Sequence, residues 1–112
     1  NTIPAMAIDV RTRRSRLSRP TAGLSGPAIH PIAVRMVWEA ARAVTIPICG
    51  MGGVTDGESA AELILAGATA VSVGTANLYD PAASERVLGE LAAWAEGQGV
   101  SDINELIGAF EC

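Results

Sequence analysis

Ile46-Pro47-Ile48-Cys49-Gly50-Met51-Gly52-Gly53-Val54 is the stretch that decides the fold. Ile46 to Gly50 is a near-continuous apolar run, which fits a parallel strand covered on both faces. The glycine pair that follows lets the backbone turn sharply into a helix starting near Asp56. One β/α unit later the pattern returns: Ala70-Val71-Ser72-Val73 closes on Gly74-Thr75. A strand that ends in glycine and leads into a helix lets the backbone approach an anion closely, and free N–H groups of the first turn point at it. Two such stations on neighbouring parallel strands predict a phosphate clamp of the kind that (β/α)8 barrels build after their last two strands.

Outward from this stretch the elements follow in order. Asp56 is a good N-cap, and Ala60, Ala61, Ile64 and Leu65 carry the helix to Gly67. Upstream, a stripe at Ile32, Met36, Val37, Ala40, Ala41 and Val44 predicts a helix from about Pro31 to Val44, with Pro31 in the first turn, where its missing N–H costs nothing. Thr21 to Pro27 reads as a Gly-rich loop. Met6 to Val10 and Arg16 to Ser18 read as short β-segments around a polar turn, Arg11 to Ser15, while Asn1-Thr2 reads as the C-terminal tip of a strand. Downstream of Asp80-Pro81, a third helix carries Val87, Leu88, Leu91, Ala92 and Ala95 and stops at Gly97 or Gly99. A short last helix is expected from a Ser101 cap to Ile107. The order predicts an α/β parallel architecture supplying about three of the eight units of a barrel.

The chain has 112 residues, whereas a complete barrel needs about 250. It is therefore expected to be the C-terminal portion of a single (β/α)8 TIM-barrel domain spanning residues 1–112, with the N-terminal half absent. Hydrophobic residues make up 49 % in short runs, with no stretch near the membrane-spanning length of about 18 and no signal-peptide pattern. A soluble, cytoplasmic protein without membrane insertion is expected. The net charge of −4 argues against nucleic-acid binding. All eight basic residues are arginines, so no lysine Schiff base can form here. Arg11, Arg13, Arg14, Arg16 and Arg19 cluster in one segment, which reads as a solvated hairpin or as a docking edge for an acidic partner. Cys49 reads as a small buried hydrophobe, and with Cys112 it has neither metal-ligand spacing nor a disulfide framework. No metal site is expected.

Asn1-Thr2, Gly23-Leu24-Ser25-Gly26-Pro27-Ala28-Ile29, the Ile46 to Val54 stretch and Leu65 to Asn77 together resemble the C-terminal half of the dihydroorotate dehydrogenases, most closely the class 1B catalytic subunits. Each block is weak alone; their joint order and spacing is specific. The resemblance implies FMN-dependent oxidation of (S)-dihydroorotate to orotate in de novo pyrimidine (UMP) biosynthesis. It makes Asn1 and Thr2 substrate-binding residues, an amide offering both donor and acceptor and a hydroxyl serving as either. Gly26 becomes a backbone contact to the flavin. Gly52, Gly53, Gly74 and Thr75 become the clamp for the FMN phosphate. It also implies a homodimer of catalytic subunits with an electron-transfer subunit carrying FAD and an iron–sulfur cluster.

Plainer readings stand beside these. Gly52-Gly53 can be only a tight turn, Gly74-Thr75 only a strand end with a cap, and Asn1-Thr2 only a loop remnant. Ser25 has no histidine or acid at a spacing that would make it a nucleophile. Two departures from the family pattern are Ala22, where a second glycine is usual, and His30, where lysine is common. Ala22 requires negative φ, and His30 reads as a surface or helix-entry residue. The family's active-site cysteine and its flavin-side lysine come from earlier strands, so no catalytic residue is expected here, and the chain alone is expected to be inactive and poorly folded. The alternatives are another FMN-dependent pyrimidine oxidoreductase, similar to dihydropyrimidine dehydrogenase, and a non-catalytic phosphate-binding half-barrel.

Overall fold

The structure is a computed structural model that describes residues 1–111; Cys112, expected to be unpaired, lies outside the described residues. It is a mixed α/β fold. Strand β5 (Cys49–Met51) lies parallel to β6 (Ala70–Ser72), in a register that sets Gly50 beside Val71. The helices α1 (His30–Ala43), α2 (Gly57–Leu65) and α4 (Ala83–Gly97) are the long ones. Between β6 and α4 a four-residue helix, α3 (Ala76–Tyr79), interrupts the connection. Val37, Val54, Ala60, Leu63, Ala66, Ala68 and Val87 form the core, with Ile48, Val71 and Leu91 packed against it.

β5 begins three residues later than the apolar run. Pro47 has no N–H to give to a ladder, and pairing starts where Thr69 N–H donates to the Ile48 carbonyl at 2.8 Å. Ile46 is left exposed. Nor is the strand covered on both faces: Gly50 is buried toward Leu63, whereas Cys49 and Met51 lie exposed on the opposite face. Cys49 is therefore not the buried hydrophobe its apolar neighbours suggest.

In α1 the apolar stripe is rotated from its expected position. Ala33 and Val37 face inward, while Ile32 and Met36 are exposed. The small Ala33 decides this, because α1 crosses the Gly52 turn so closely that a Cβ on Gly52 would lie 2.6 Å from that of Ala33. α2 starts as expected. Asp56 accepts a bond from Ser59 N–H at 2.8 Å while the Ser59 hydroxyl accepts from Asp56 N–H, a reciprocal capping box. A second carboxylate, Glu90 of α4, accepts from Gly57 N–H at 2.8 Å.

The N-terminal quarter departs most from expectation. β1 (Ile3–Ala5) and β4 (Ala22–Leu24) pair antiparallel, and β2 (Ile8–Asp9) with β3 (Arg14–Ser15) forms a hairpin nested between them. The expected loop thus contributes a strand, the hairpin turn is tighter than expected, and Asn1-Thr2 leads directly into β1. Residues 103–106 form a 3-10 turn capped by Asp102 instead of a helix capped by Ser101, since the Asp102 carboxylate accepts from Asn104 N–H at 2.9 Å. The described residues supply two parallel strands where three barrel units were expected, because the residues before α1 pair antiparallel.

Candidate functional site

At the C-terminal ends of β5 and β6 the chain encloses a cleft of about 200 Å³ lined by Asn1, Thr2, Ser25, Met51, Gly52, Gly53, Gly74 and Thr75. Six of the seven site residues expected from sequence line it, and the seventh, Gly26, lies against its wall. The oxygen of Gly26 would be 2.7 Å from a Cβ on Gly53, and its own Cβ would meet Thr75 Cγ2 at 3.5 Å. No carboxylate lines the cleft.

The turn after β5 requires glycine twice. Gly52 has φ 140° and Gly53 φ 70°, both in the region that side chains disfavour. Gly74 differs: its φ is ordinary, and a Cβ there would meet nothing within 4 Å. The bare backbone at Gly74 thus faces the open cleft. Among the described residues the N–H groups of Gly53, Gly74 and Thr75 have no hydrogen-bond acceptor, and buried or cleft-lining amides left free in this way are donors for an anion. Thr75 precedes α3 without capping it by its side chain. Its hydroxyl instead donates to Ser25 Oγ at 2.8 Å, tying the Gly-rich segment to the end of β6.

Asn1 and Thr2 sit at the rim, where the Asn1 side-chain oxygen accepts from Thr2 N–H at 3.0 Å. Thr2 packs so tightly over β4 that a Cβ on Gly23 would lie 2.7 Å from the Thr2 Cβ. Ala22 adopts no positive φ, because Arg13 is the single non-glycine residue that does so among the described residues.

Sequence reasoning missed two members of the site. Ser25 lines the cleft as a hydroxyl paired with another hydroxyl, which gives it no base and no nucleophilic role. His30 is the first residue of α1, as the helix-entry reading has it, but it is buried rather than at the surface, and its Nδ1 lies 2.8 Å from the Gly52 carbonyl oxygen. Nothing in the local pattern points to that bond, which spans 22 residues. A larger groove of about 520 Å³ between α1 and α2 is lined mainly by apolar side chains, Val34, Trp38, Leu65 and Phe110 among them, with Arg35 and Glu62 also in its lining.

The described residues contain no cluster of three potential metal ligands and no helix long and apolar enough to cross a membrane. The family model for dihydroorotate dehydrogenase matches residues 1–94. The chain belongs to the dihydroorotate dehydrogenase family. It is 54 % identical over 99 % of its length to the dihydroorotate dehydrogenase B (NAD(+)) catalytic subunit of Geobacter metallireducens, covering 36 % of that relative. A putative dihydroorotate dehydrogenase A (fumarate) of Solibacter usitatus is 50 % identical over 99 % of the chain and is likewise covered to 36 %. In structure, the chain superposes on a dihydroorotate dehydrogenase of Eimeria tenella, crystallised with ferulenol, with a TM-score of 0.76 and 28 % identity, covering 94 % of this chain and 29 % of that one. The chain spans little more than a third of the length of the curated relatives it matches.

Proposed function

We propose that the protein carrying this chain is an FMN-dependent dihydroorotate dehydrogenase that oxidises (S)-dihydroorotate to orotate in pyrimidine biosynthesis. The carrying observation is the convergence of Asn1, Thr2, Gly52, Gly53, Gly74 and Thr75 on one cleft free of carboxylates. The residues fit a phosphate monoester: Gly53, Gly74 and Thr75 offer free N–H groups, Thr75 and Ser25 offer hydroxyls, and the Gly74 side leaves space that a side chain would fill. FMN, when bound, supplies the hydride acceptor. The chain's own contribution is to hold the phosphate by these donors, to present the Gly26 backbone toward the flavin, and to orient the pyrimidine by the Asn1 amide and the Thr2 hydroxyl. Proton removal falls to a group outside this sequence; Cys49 lies below the cleft, on the open face of β5, and lines no part of it.

The two open features of the fold support the rest of the reading. The uncovered face of β5 and β6 fits the inner wall of a (β/α)8 barrel completed by further strands. The exposed arginines of the hairpin, none of them paired with a carboxylate among the described residues, fit contact with an electron-transfer subunit carrying FAD and an iron–sulfur cluster, in an assembly built on a homodimer of cytoplasmic catalytic subunits. The test is the visible spectrum of the purified full-length protein that carries this chain, followed by anaerobic addition of dihydroorotate. Bound flavin that bleaches supports the proposal. Flavin that ignores dihydroorotate moves the substrate to another molecule, and absence of flavin overturns the reading.

A further inference from the structure

His30 opens α1 with its ring buried between that helix, the Gly52-Gly53 turn and α2. A carbonyl oxygen can only accept, so at 2.8 Å from the Gly52 oxygen Nδ1 carries the proton and donates it. The backbone of His30 is equally close to the turn: a Cβ on Gly53 would lie 2.8 Å from His30 Cβ and 3.0 Å from its N. Nε2 is the one buried side-chain polar atom without a hydrogen-bond partner among the described residues, and it lies 3.7 Å from Glu62 Oε2.

The position of that bond has a direct effect on the cleft. Two successive glycines with positive φ form a soft unit whose central peptide can rotate at little steric cost. All the described peptides are trans, and in a trans peptide the C=O and N–H point in opposite directions. Holding the Gly52 oxygen against His30 therefore aims the Gly53 N–H away from the imidazole, fixing the direction of a donor that has no acceptor within the chain.

We infer that His30 is a positioning residue for the phosphate of the flavin: its Nδ1–H locks the Gly52–Gly53 peptide so that the Gly53 amide is preset toward an anion in the cleft. The inference rests on the FMN reading above. It predicts that His30 matters for the phosphate and not for the ring system, so riboflavin, which lacks the phosphate, is the control ligand.

The experiment measures FMN and riboflavin dissociation constants by flavin fluorescence in the full-length protein and its His30→Leu, His30→Asn and His30→Gln variants. Leucine is expected to weaken FMN about tenfold, the effect of one lost buried hydrogen bond, while changing riboflavin less than about twofold. Asparagine, whose amide nitrogen falls close to the place of Nδ1, is expected to restore FMN affinity; glutamine, which reaches the place of Nε2, is not. Equal weakening of both flavins, no change in either, or rescue by glutamine alone would overturn the inference while leaving the FMN reading intact. Parent protein that binds neither flavin overturns both. Should the leucine variant fail to fold, the contrast between asparagine and glutamine still decides.

Discussion

The two ends of this chain are built on opposite principles. Residues 3–24 hold their shape by local hydrogen bonds: the Asp9 carboxylate accepts from Arg11 N–H at 2.9 Å and Thr12 N–H at 3.2 Å, and Ser15 Oγ accepts from Leu17 N–H. Their apolar side chains, Met6, Ile8 and Val10, are exposed. The region from β5 to α4 holds its shape by burial, with Leu63 and Ala60 wholly enclosed and the N-terminus of α2 tied to α4 through Glu90. The cleft lies at the rim of the second region and takes Asn1, Thr2 and Ser25 from the residues that flank the first. A buried platform can hold a backbone turn within the narrow tolerance that ligand recognition needs; an exposed hairpin can present charge and be changed without loss of the platform.

The sharpest way to break this contrast is at its centre. Leu63→Ala leaves a void against Gly50 and Ala68 and is expected to cost about 2–5 kcal/mol of stability in urea unfolding, whereas Ile8→Ala, 57 % exposed, should stay within about 0.5 kcal/mol. Equal effects would mean that the hairpin shares the core.

The glycine stations separate fold from ligand. Gly53→Ala forces a side chain onto a backbone at φ 70° and toward the Gly26 oxygen, so thermal stability should fall by about 1–3 kcal/mol and flavin affinity with it. Gly74→Ala meets no atom of the chain. Stability should be unchanged within about 0.5 kcal/mol, while flavin affinity drops at least about tenfold, as expected for a methyl group placed against bound phosphate. A Gly74→Ala protein that binds FMN normally would detach that glycine from the site.

A smaller effect sharpens the description of α2. Asp56→Ala removes the cap and should cost about 1 kcal/mol, and Asp56→Asn should recover most of it. The Ser59 backbone N–H bonded to the Asp56 carboxylate, helped by the Ser59 hydroxyl, holds its pKa below the usual value. Because the folded pKa is the lower one, the cap's contribution is fully present above the unfolded value of about 3.9 and is lost as pH falls through the folded value. Parent and Asp56→Ala stabilities should therefore differ at pH 6 and converge toward pH 2. The smallest stability effect belongs to the hairpin. Arg13→Glu with Arg14→Glu should leave unfolding within about 0.5 kcal/mol, yet should abolish co-purification with the proposed electron-transfer subunit; retained co-purification places that contact elsewhere.

Sequence read the buried region well and the exposed one poorly, for a physical reason. An N-cap such as Asp56, the termination of α2 at Gly67, and the alternation of glycine station and helix are local signals, and each falls where expected. The parallel pairing of β5 with β6 follows from the same pattern. β1 and β4 are invisible locally, since Ala22, Gly23 and Leu24 are all exposed and show no alternation, and their pairing spans the hairpin between them. Ile46 and Ile48 drew β5 three residues too early because apolarity outweighed the missing donor of Pro47. The site's backbone members were legible as glycines at strand ends. His30 was not, because its role depends on a distant carbonyl rather than on any neighbour in sequence.

The hydroxyl bond from Thr75 to Ser25 joins residues fifty positions apart. Closing a contact of such long range requires the loop between its ends to be brought together, and the parallel pairing of β6 with β5 does this here. During synthesis the Gly-rich segment emerges well before its partner, and the cleft does not exist until the second glycine station has left the ribosome and found its place. The cleft is thus a joint product of both glycine stations: a chain arrested before residue 74 contains α1, α2 and the Gly52-Gly53 turn in full yet lacks the Gly74-Thr75 side of the cleft.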